Sequence, residues 1–250
     1  MNNPNQGKVV GIIMTYNCAH LLENTFNNLP QGVFDQLIIV DDGSTDNVRE
    51  VAEKINVPIF IYRHKGYGGN LRNGLSKALE LGGEYFVEIH GDGQFDQSNV
   101  PKALAIMTQE NLDFLIGSRF TNLRQPLIDG MPLLRYIANI GLSFIERIVL
   151  RIPWTEFHAG FRIYRRRFAE KVLNNKANDK FADDYLFSFQ IIALAAWTKA
   201  RCGEIPVRAD YHKAHTSVGY YQATINSFQE IGVLCWYVLA KLGLKFSIFK

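Results

Sequence analysis

Short apolar runs alternate with helical patterns through the first half of the chain. Val9 to Met14, Leu37 to Val40, Val57 to Tyr62, Tyr85 to Ile89 and Phe114 to Ile116 each read as a buried strand. Between them, residues 19–29, the segment through Val48, Val51, Ala52 and Ile55, residues 71–81 and residues 99–110 carry helical patterns. Ser98 and Pro101 mark the start of the last of these. This alternation predicts an α/β fold, with a mostly parallel central sheet and flanking crossover helices. The crossover rules then place the carboxyl ends of the strands on one edge. Open α/β sheets bind their ligands at that edge.

After residue 118 the alternation stops. Leu133, Leu134, Ile137, Ile140, Phe144, Ile145, Ile148 and Val149 form an apolar helical stripe, with Arg135, Asn139, Ser143, Glu146 and Arg147 on the opposite side. Residues 183–200 read as a helix and Cys202 to Val207 as a short strand. A polar loop follows from Asp210 to Gly219, with His212, Lys213 and His215 in it. The segment 221–249 is rich in apolar and aromatic residues. Its uninterrupted run from Ile231 to Ala240 is ten residues long, short of the ~20 that a spanning helix needs. The expected organisation is one domain over 1–220, with 221–250 a C-terminal helical segment packed on it or lying at a membrane surface. Trp236, Tyr237 and the lysines at 241, 245 and 250 suit an interfacial helix.

Composition narrows the classes. A chain of 250 residues, 47% hydrophobic, is long enough for one substantial core. A net charge of +3 gives no indication of a nucleic-acid partner. Cys18, Cys202 and Cys235 have no paired spacing and read as reduced thiols of a cytosolic chain, not as a disulfide set or a zinc site. The polar N-terminus shows no apolar signal core. The expected location is cytoplasmic, with peripheral contact at the inner face of the membrane.

Polar clusters follow four of the strand runs, the first being Thr15-Tyr-Asn17. His90-Gly-Asp-Gly-Gln94 offers an imidazole, a carboxylate and an amide oxygen, a set suited to Mg²⁺ or Mn²⁺ held jointly with phosphate oxygens. It also reads as a strand-to-helix turn shaped by Asp and Gly. Asp41 and Asp42 open a run, Asp-Asp-Gly-Ser-Thr-Asp46, able to accept hydrogen bonds from a nucleobase edge and ribose hydroxyls, or to form an Asx-turn with Thr45 or Asp46 capping the next helix. Lys65-Gly-Tyr-Gly-Gly-Asn70 precedes a helix whose free N–H groups attract anions, with Lys65 and Arg72 adding charge. His158, between aromatic residues, reads first as a hydrogen-bonded structural residue. Arg165 to Arg167 reads as a solvated helix start or as a basic patch at a membrane face. Asp183 and Asp184 read as a general base or a helix cap. One such loop means little; four on one rim favour a nucleotide-type site.

The ordered set Thr15-Tyr-Asn17, Asp41 to Asp46, Gly66 to Asn70, Asp92-Gly-Gln94, Gly117-Ser-Arg119 and Gly160-Phe-Arg162 resembles family 2 glycosyltransferases. The likeness is greatest to the branch of dolichol-phosphate mannose synthase and bacterial polyprenyl-phosphate glycosyltransferases, and covers about residues 8–220. It implies a GT-A fold with a helical C-terminal segment, a UDP- or GDP-sugar donor, a divalent metal (Mg²⁺ or Mn²⁺) and inversion at the anomeric carbon. By position it implies nucleoside contacts from Tyr16 and Asp41, with Thr15, Asp42, Lys65, Asn70, Arg72 and His215 as further substrate-binding residues. Asp92 and Gln94, with His90, would hold the metal. Arg119 and Arg135 would meet an acceptor phosphate. Asp184 falls where many family members place a functional acid. Two positions depart from the pattern: His90 replaces the first acid of the usual Asp-X-Asp, and Cys18 replaces a usual Glu.

The implied activity is sugar transfer to a polyprenyl phosphate, with the 133–149 stripe as an interfacial surface. The alternatives are transfer to a sugar hydroxyl in glycan synthesis, with Asp184 as base, and a nucleotide-sugar binding module without turnover. A nucleotidyltransferase fits less well, since the loop after the first strand, Thr15 to Ala19, has neither glycine nor lysine.

Overall fold

The computed structural model describes residues 7–175, 180–211 and 219–249. Strand β1 (Val9–Thr15) is wholly apolar up to its final threonine and buried along its length. It is flanked in parallel by β2 (Gln36–Asp41) and β4 (Tyr85–His90), and β3 (Ile59–Ile61) extends the sheet beyond β2. On the other side come β5 (Phe114–Ser118), β6 (Arg162–Arg165) and β7 (Cys202–Pro206), giving the order β3-β2-β1-β4-β6-β5-β7.

The predicted parallel strands are present. The departure is β6, which inserts between β4 and β5 antiparallel to both. Two arginines within four residues hide this strand from an apolar-run reading. Arg162 is buried and sits in register opposite Glu88 of β4, so charge complementarity carries it into the sheet. Of the next three arginines, Arg165 pairs with Glu84, Arg166 with Glu170 and Arg167 with Asp113, which makes them structural ion pairs.

Alternation along β1 divides the core into two layers. Val9 and Ile13 meet α1 (Ala19–Asn27), α2 (Val48–Lys54) and α4 (Val100–Gln109). Val10, Ile12 and Met14 meet α3 (Tyr67–Glu80), with α7 (Arg166–Leu173) and α8 (Leu186–Trp197) in the same cluster. Gly74 lets α3 approach closely, because a Cβ there would stand 2.7 Å from Ile12. Helix α9 (Tyr220–Lys241) packs on α8 and joins this layer through Val233, Leu234, Tyr237 and Ala240.

A short α5 (Gln125–Ile128) leads into α6 (Leu133–Leu150), which turns its polar side inward. Ser143 and Glu146 are buried, whereas Leu134, Ile137, Phe144 and Ile148 are 67%, 59%, 62% and 60% exposed. The apolar stripe therefore faces away from the core. On α9, Tyr221, Phe228, Trp236 and Leu239 are also exposed. Among the described residues no helix is long and apolar enough to cross a membrane.

Candidate active site

The parallel strands end side by side. Thr15 is in register with Asp41, and Met14 with His90, so the loops after β1, β2 and β4 emerge together. Gly91 permits the tight exit from β4: its missing Cβ would lie 2.8 Å from the Met14 carbonyl oxygen. The chain then turns at Gly93, whose φ of 66° favours glycine. The Asp92 carboxylate accepts the Gln94 N–H at 3.1 Å, which orients this turn.

Two cavities meet there. One, of about 310 Å³, is lined by Thr15, Tyr16, Asp42, His64, Asn70 and Asp184. The other, of about 250 Å³, runs toward α6 and α9 past Gln94, Arg119, Arg135, His158 and Arg162. Tyr67, His90, Asp92 and Tyr185 belong to both, so Asp92 stands at their junction.

In the first cavity Tyr16 stacks on His64 with ring centroids 4.4 Å apart and planes 19° from parallel. His64 Nδ1 lies 2.8 Å from the Asp42 carboxylate, which holds the ring in place. This aromatic platform, 46% exposed at Tyr16, can stack a nucleobase. His64 was missed at the sequence level; the signal is tertiary, since the pairing of β1 and β3 on either side of β2 brings the loops after them together.

The carboxylates of the β2 end divide their roles. Asp41 is fully buried and accepts hydrogen bonds from Thr15 Oγ1 and the Ser44 N–H, so the Asx-turn reading holds there. It lies outside the cavity lining, whereas Asp42 is the carboxylate at the cavity wall. Asp42 also accepts the N–H groups of Lys65 and Gly66 at 2.9 and 2.8 Å. The Gly69 N–H donates to the Asp183 carbonyl. The Lys65, Gly66 and Gly69 N–H groups around the start of α3 are thus engaged within the protein. Arg72 is drawn away as well: it pairs with Asp183, donates to the Ala182 carbonyl and lies over Phe187. Lys65 lies along Gly69, outside the cavity lining. Asn70 is buried, its amide tying the carbonyls of Val40 and Thr15, while its Oδ1 has no hydrogen-bond partner.

Asp184 is exposed, accepts the Leu186 N–H at 2.9 Å and lines the same cavity as Asp92. Capping and substrate contact are therefore compatible at this residue. His215 lies outside the described residues.

Beneath the junction sits a buried polar network. Glu88 accepts from Tyr67, from Tyr164 at 2.7 Å and from His90 Nε2 at 3.1 Å, with Arg162 opposite. Burial alone would raise the Glu88 carboxyl, but the His90 hydrogen bond and the Arg162 charge overcome it and hold it below its ordinary range. Burial beside Glu88 pushes both tyrosines well above theirs. Because Nε2 of His90 faces Glu88, a metal at Asp92 would reach this ring only through Nδ1.

The second cavity is walled by arginines, but Arg119 is not an isolated cation. It forms a buried ion pair with Glu156, donating from Nε at 2.7 Å and from its backbone N–H at 2.6 Å, and also contacts Tyr211. Burial opposes its charge, yet Glu156 and Tyr211 raise its pKa above the ordinary value. Arg119 thus lines the cavity as half of an ion pair, and Arg135, half-buried on the first turn of α6, lines it alongside. Farther in, His158 lies 3.1 Å from Glu146 and 3.7 Å from Glu230, in line with its structural reading. Burial disfavours the imidazolium, but the two carboxylates hold its pKa well above the usual histidine value.

A divalent metal at Asp92 fits the donor chemistry. Asp92 and Gln94 are hard oxygen donors at a shared wall, with His90 beside them. Among the described residues, the three-residue cluster with metal-ligand spacing is Glu146, His158 and Glu230, not the Asp92 loop. A metal at Asp92 would therefore draw further ligands from a bound diphosphate, as Mg²⁺ commonly does.

The family model described as "Glycosyl transferase family 2" matches residues 12–173. The UDP-N-acetylglucosamine--dolichyl-phosphate N-acetylglucosaminyltransferase of Methanococcus voltae is 29% identical over 218 residues, covering 80% of this chain and 84% of that protein. The undecaprenyl-phosphate mannosyltransferase of Micrococcus luteus is 30% identical over 167 residues, covering 63% and 66%. Among solved structures, glucosyl-3-phosphoglycerate synthase from Mycobacterium tuberculosis, crystallised with Mn²⁺, UDP and glucosyl-3-phosphoglycerate, superposes with a TM-score of 0.65 at 15% identity, over 92% of this chain and 80% of that one. The likeness shows the expected GT-A type of fold.

Proposed function

The chain belongs to glycosyl transferase family 2 and is a glycosyltransferase, and from that premise we propose that it moves a sugar, with inversion, from a UDP- or GDP-sugar to a polyprenyl phosphate. The observation that carries this reading is the pair of cavities meeting at Asp92, one with a nucleobase platform and the other with arginine walls beside the outward apolar face of α6. The relatives named above for dolichyl- and undecaprenyl-phosphate transfer support the same acceptor class.

In this reading the base stacks on Tyr16 and His64, Asp42 borders the nucleoside, and the diphosphate lies toward Asp92. Asp92 and Gln94, with His90 Nδ1, would hold Mg²⁺ or Mn²⁺, which when bound offsets the charge developing on the leaving diphosphate. An acceptor phosphate oxygen, held near Arg135 and the Arg119–Glu156 pair, attacks the anomeric carbon. The new C–O bond forms as the bond to the β-phosphate breaks, and the electron pair leaves with the nucleoside diphosphate. An ionised phosphate acceptor needs no general base. The prenyl chain leaves the cavity along the exposed side of α6, so the enzyme works as a peripheral protein at the cytoplasmic face of the membrane.

A second reading rests on Asp184, exposed on the wall shared with Asp92. A sugar hydroxyl acceptor would require a base, and Asp184 would serve. The deciding experiment is a transfer assay with labelled UDP- and GDP-sugars, against a short-chain polyprenyl phosphate and against oligosaccharide acceptors, with Mn²⁺, Mg²⁺ or EDTA. Metal-dependent transfer to the prenyl phosphate is expected. Transfer only to oligosaccharides, abolished in Asp184→Asn, would establish the second reading. Nucleotide binding without transfer to either acceptor would refute both.

A further inference from the structure

Helices α6, α8 and α9 all end at one place, around a cavity of about 630 Å³ far from the junction at Asp92. Val149, Ile152, Ala196 and Tyr237 give it apolar walls, and three cations, Arg151, Lys199 and Lys241, line it with no acidic residue among them. We propose that this cavity docks the phosphate-bearing headgroup of an anionic glycerophospholipid. The proposal rests on the reading of α6 as a membrane-facing helix and adds a second lipid contact to it, distinct from the acceptor cavity.

Helix ends offset part of the positive charge. Each C-terminus carries about half a negative charge, so three of them offset about half of the three cations and leave a positive surplus of about 1.5. Arg151 caps α6 in a left-handed conformation, its N–H donating to the Arg147 carbonyl, and Lys199 follows α8 in the same conformation. Lys241 extends over the Trp197 and Tyr237 rings, 4.4 and 5.3 Å from their centroids. That contact holds its ammonium at the cavity while its stem covers aromatic surface.

The apolar lip points to a lipid, not to a free anion. Val238 and Leu242 line the cavity yet are 43% and 76% exposed, and Ile145 and Ile148 of α6 are exposed on the neighbouring helix. Cations set among outward apolar side chains are the signature of a surface lying on anionic lipid. The site is remote from catalysis: Arg135, at the acceptor cavity, lies 16 residues before Arg151, about 24 Å along the helix axis. A lipid at the far end of α6 would fix the helix flat on the bilayer and present the acceptor mouth to its substrate.

The test is flotation with phosphatidylcholine vesicles and with vesicles containing phosphatidylglycerol. The variants are Arg151→Gln/Lys199→Gln/Lys241→Gln and a control triple on the opposite layer, Arg49→Gln/Lys54→Gln/Lys102→Gln. Each basic residue near an anionic surface contributes about five-fold to partitioning, so the first triple should lose roughly 100-fold on phosphatidylglycerol vesicles. It should be unchanged on phosphatidylcholine and in transfer to a short-chain, water-soluble acceptor phosphate. Equal partitioning of the wild type on both vesicles would overturn the proposal, as would an equal loss in the control triple. Thermal stabilisation by inorganic phosphate that the first triple lacks, with no preference for phosphatidylglycerol, would make this a free-anion site and overturn the lipid assignment. Transfer by the wild type is read separately, so the proposed reaction can stand or fall independently of this site.

Discussion

Replacing Glu156 by alanine would strand a charge. Arg119 is only 8% exposed and Glu156 is fully buried. The carboxylate accepts from the Arg119 backbone N–H and from its guanidinium. Of these partners, only Tyr211 and the faces of Phe95 and Phe120 would remain near the cation. Removing one member of a buried pair costs about 3–5 kcal/mol, because the other stays desolvated and uncompensated. For a chain of this size, that lowers the melting temperature by roughly 6–20 °C. Glu156→Gln keeps the shape and some hydrogen bonds and should fall between alanine and wild type. Arg119→Met/Glu156→Leu removes both charges and should recover most of the loss, since well-packed apolar replacements of buried pairs are often neutral. Thermal unfolding by circular dichroism on the four proteins reads all of this. A Glu156→Ala shift below about 2 °C, or a double variant no better than the single one, would refute the claim that Arg119 depends on Glu156.

Other outcomes follow from the same geometry. Asp92→Ala should lower transfer by at least about 100-fold, with melting little changed, and retained turnover in the assay would remove Asp92 from the metal site. Gly66 has φ 103° and its missing Cβ would lie 2.7 Å from the Asp183 carbonyl oxygen, so Gly66→Ala should cost at least about 1–3 kcal/mol in urea unfolding and weaken nucleotide binding through Asp42. The raised pKa of His158 gives stability that is fully present below the unfolded value of about 6.5 and is lost as pH rises through the folded value. Burial raises Glu146 too, with the same sign. Melting temperature should therefore begin to decline above about pH 4.5 through Glu146 and decline further above about 6.5 through His158, and His158→Gln should flatten the second fall. Ile137→Ser/Phe144→Ser alters side chains that are 59% and 62% exposed. Stability should change by at most about 0.5 kcal/mol per site, while vesicle binding falls; a large loss of stability would mean that the stripe is covered in the folded protein.

Much of the fold was legible because the five parallel-strand runs are continuous and apolar enough to exclude other readings. Strand β6 was not, because Arg162 and Arg165 mask it and only Glu88 across the sheet makes Arg162 acceptable there. The site was legible as a rim, and less so residue by residue. Asp41 and Asp42 are adjacent and chemically identical, yet one folds into its own turn and the other faces the cavity. Arg72 and Arg119 both read as substrate-facing cations, and their partners Asp183 and Glu156 lie more than 30 residues away in the chain.

By itself the sequence determined the alternation of strands and crossover helices, the rim where their polar ends meet, and the amphipathic stripe of α6, because backbone periodicity and local turn chemistry are written in neighbouring residues. Only the tertiary structure decided which charges are engaged and which face the cavities. It also decided that the stripe points outward, and that three helix ends converge on one basic cavity. These properties depend on partners distant in the chain, and burial and charge pairing are set by what surrounds a side chain in space.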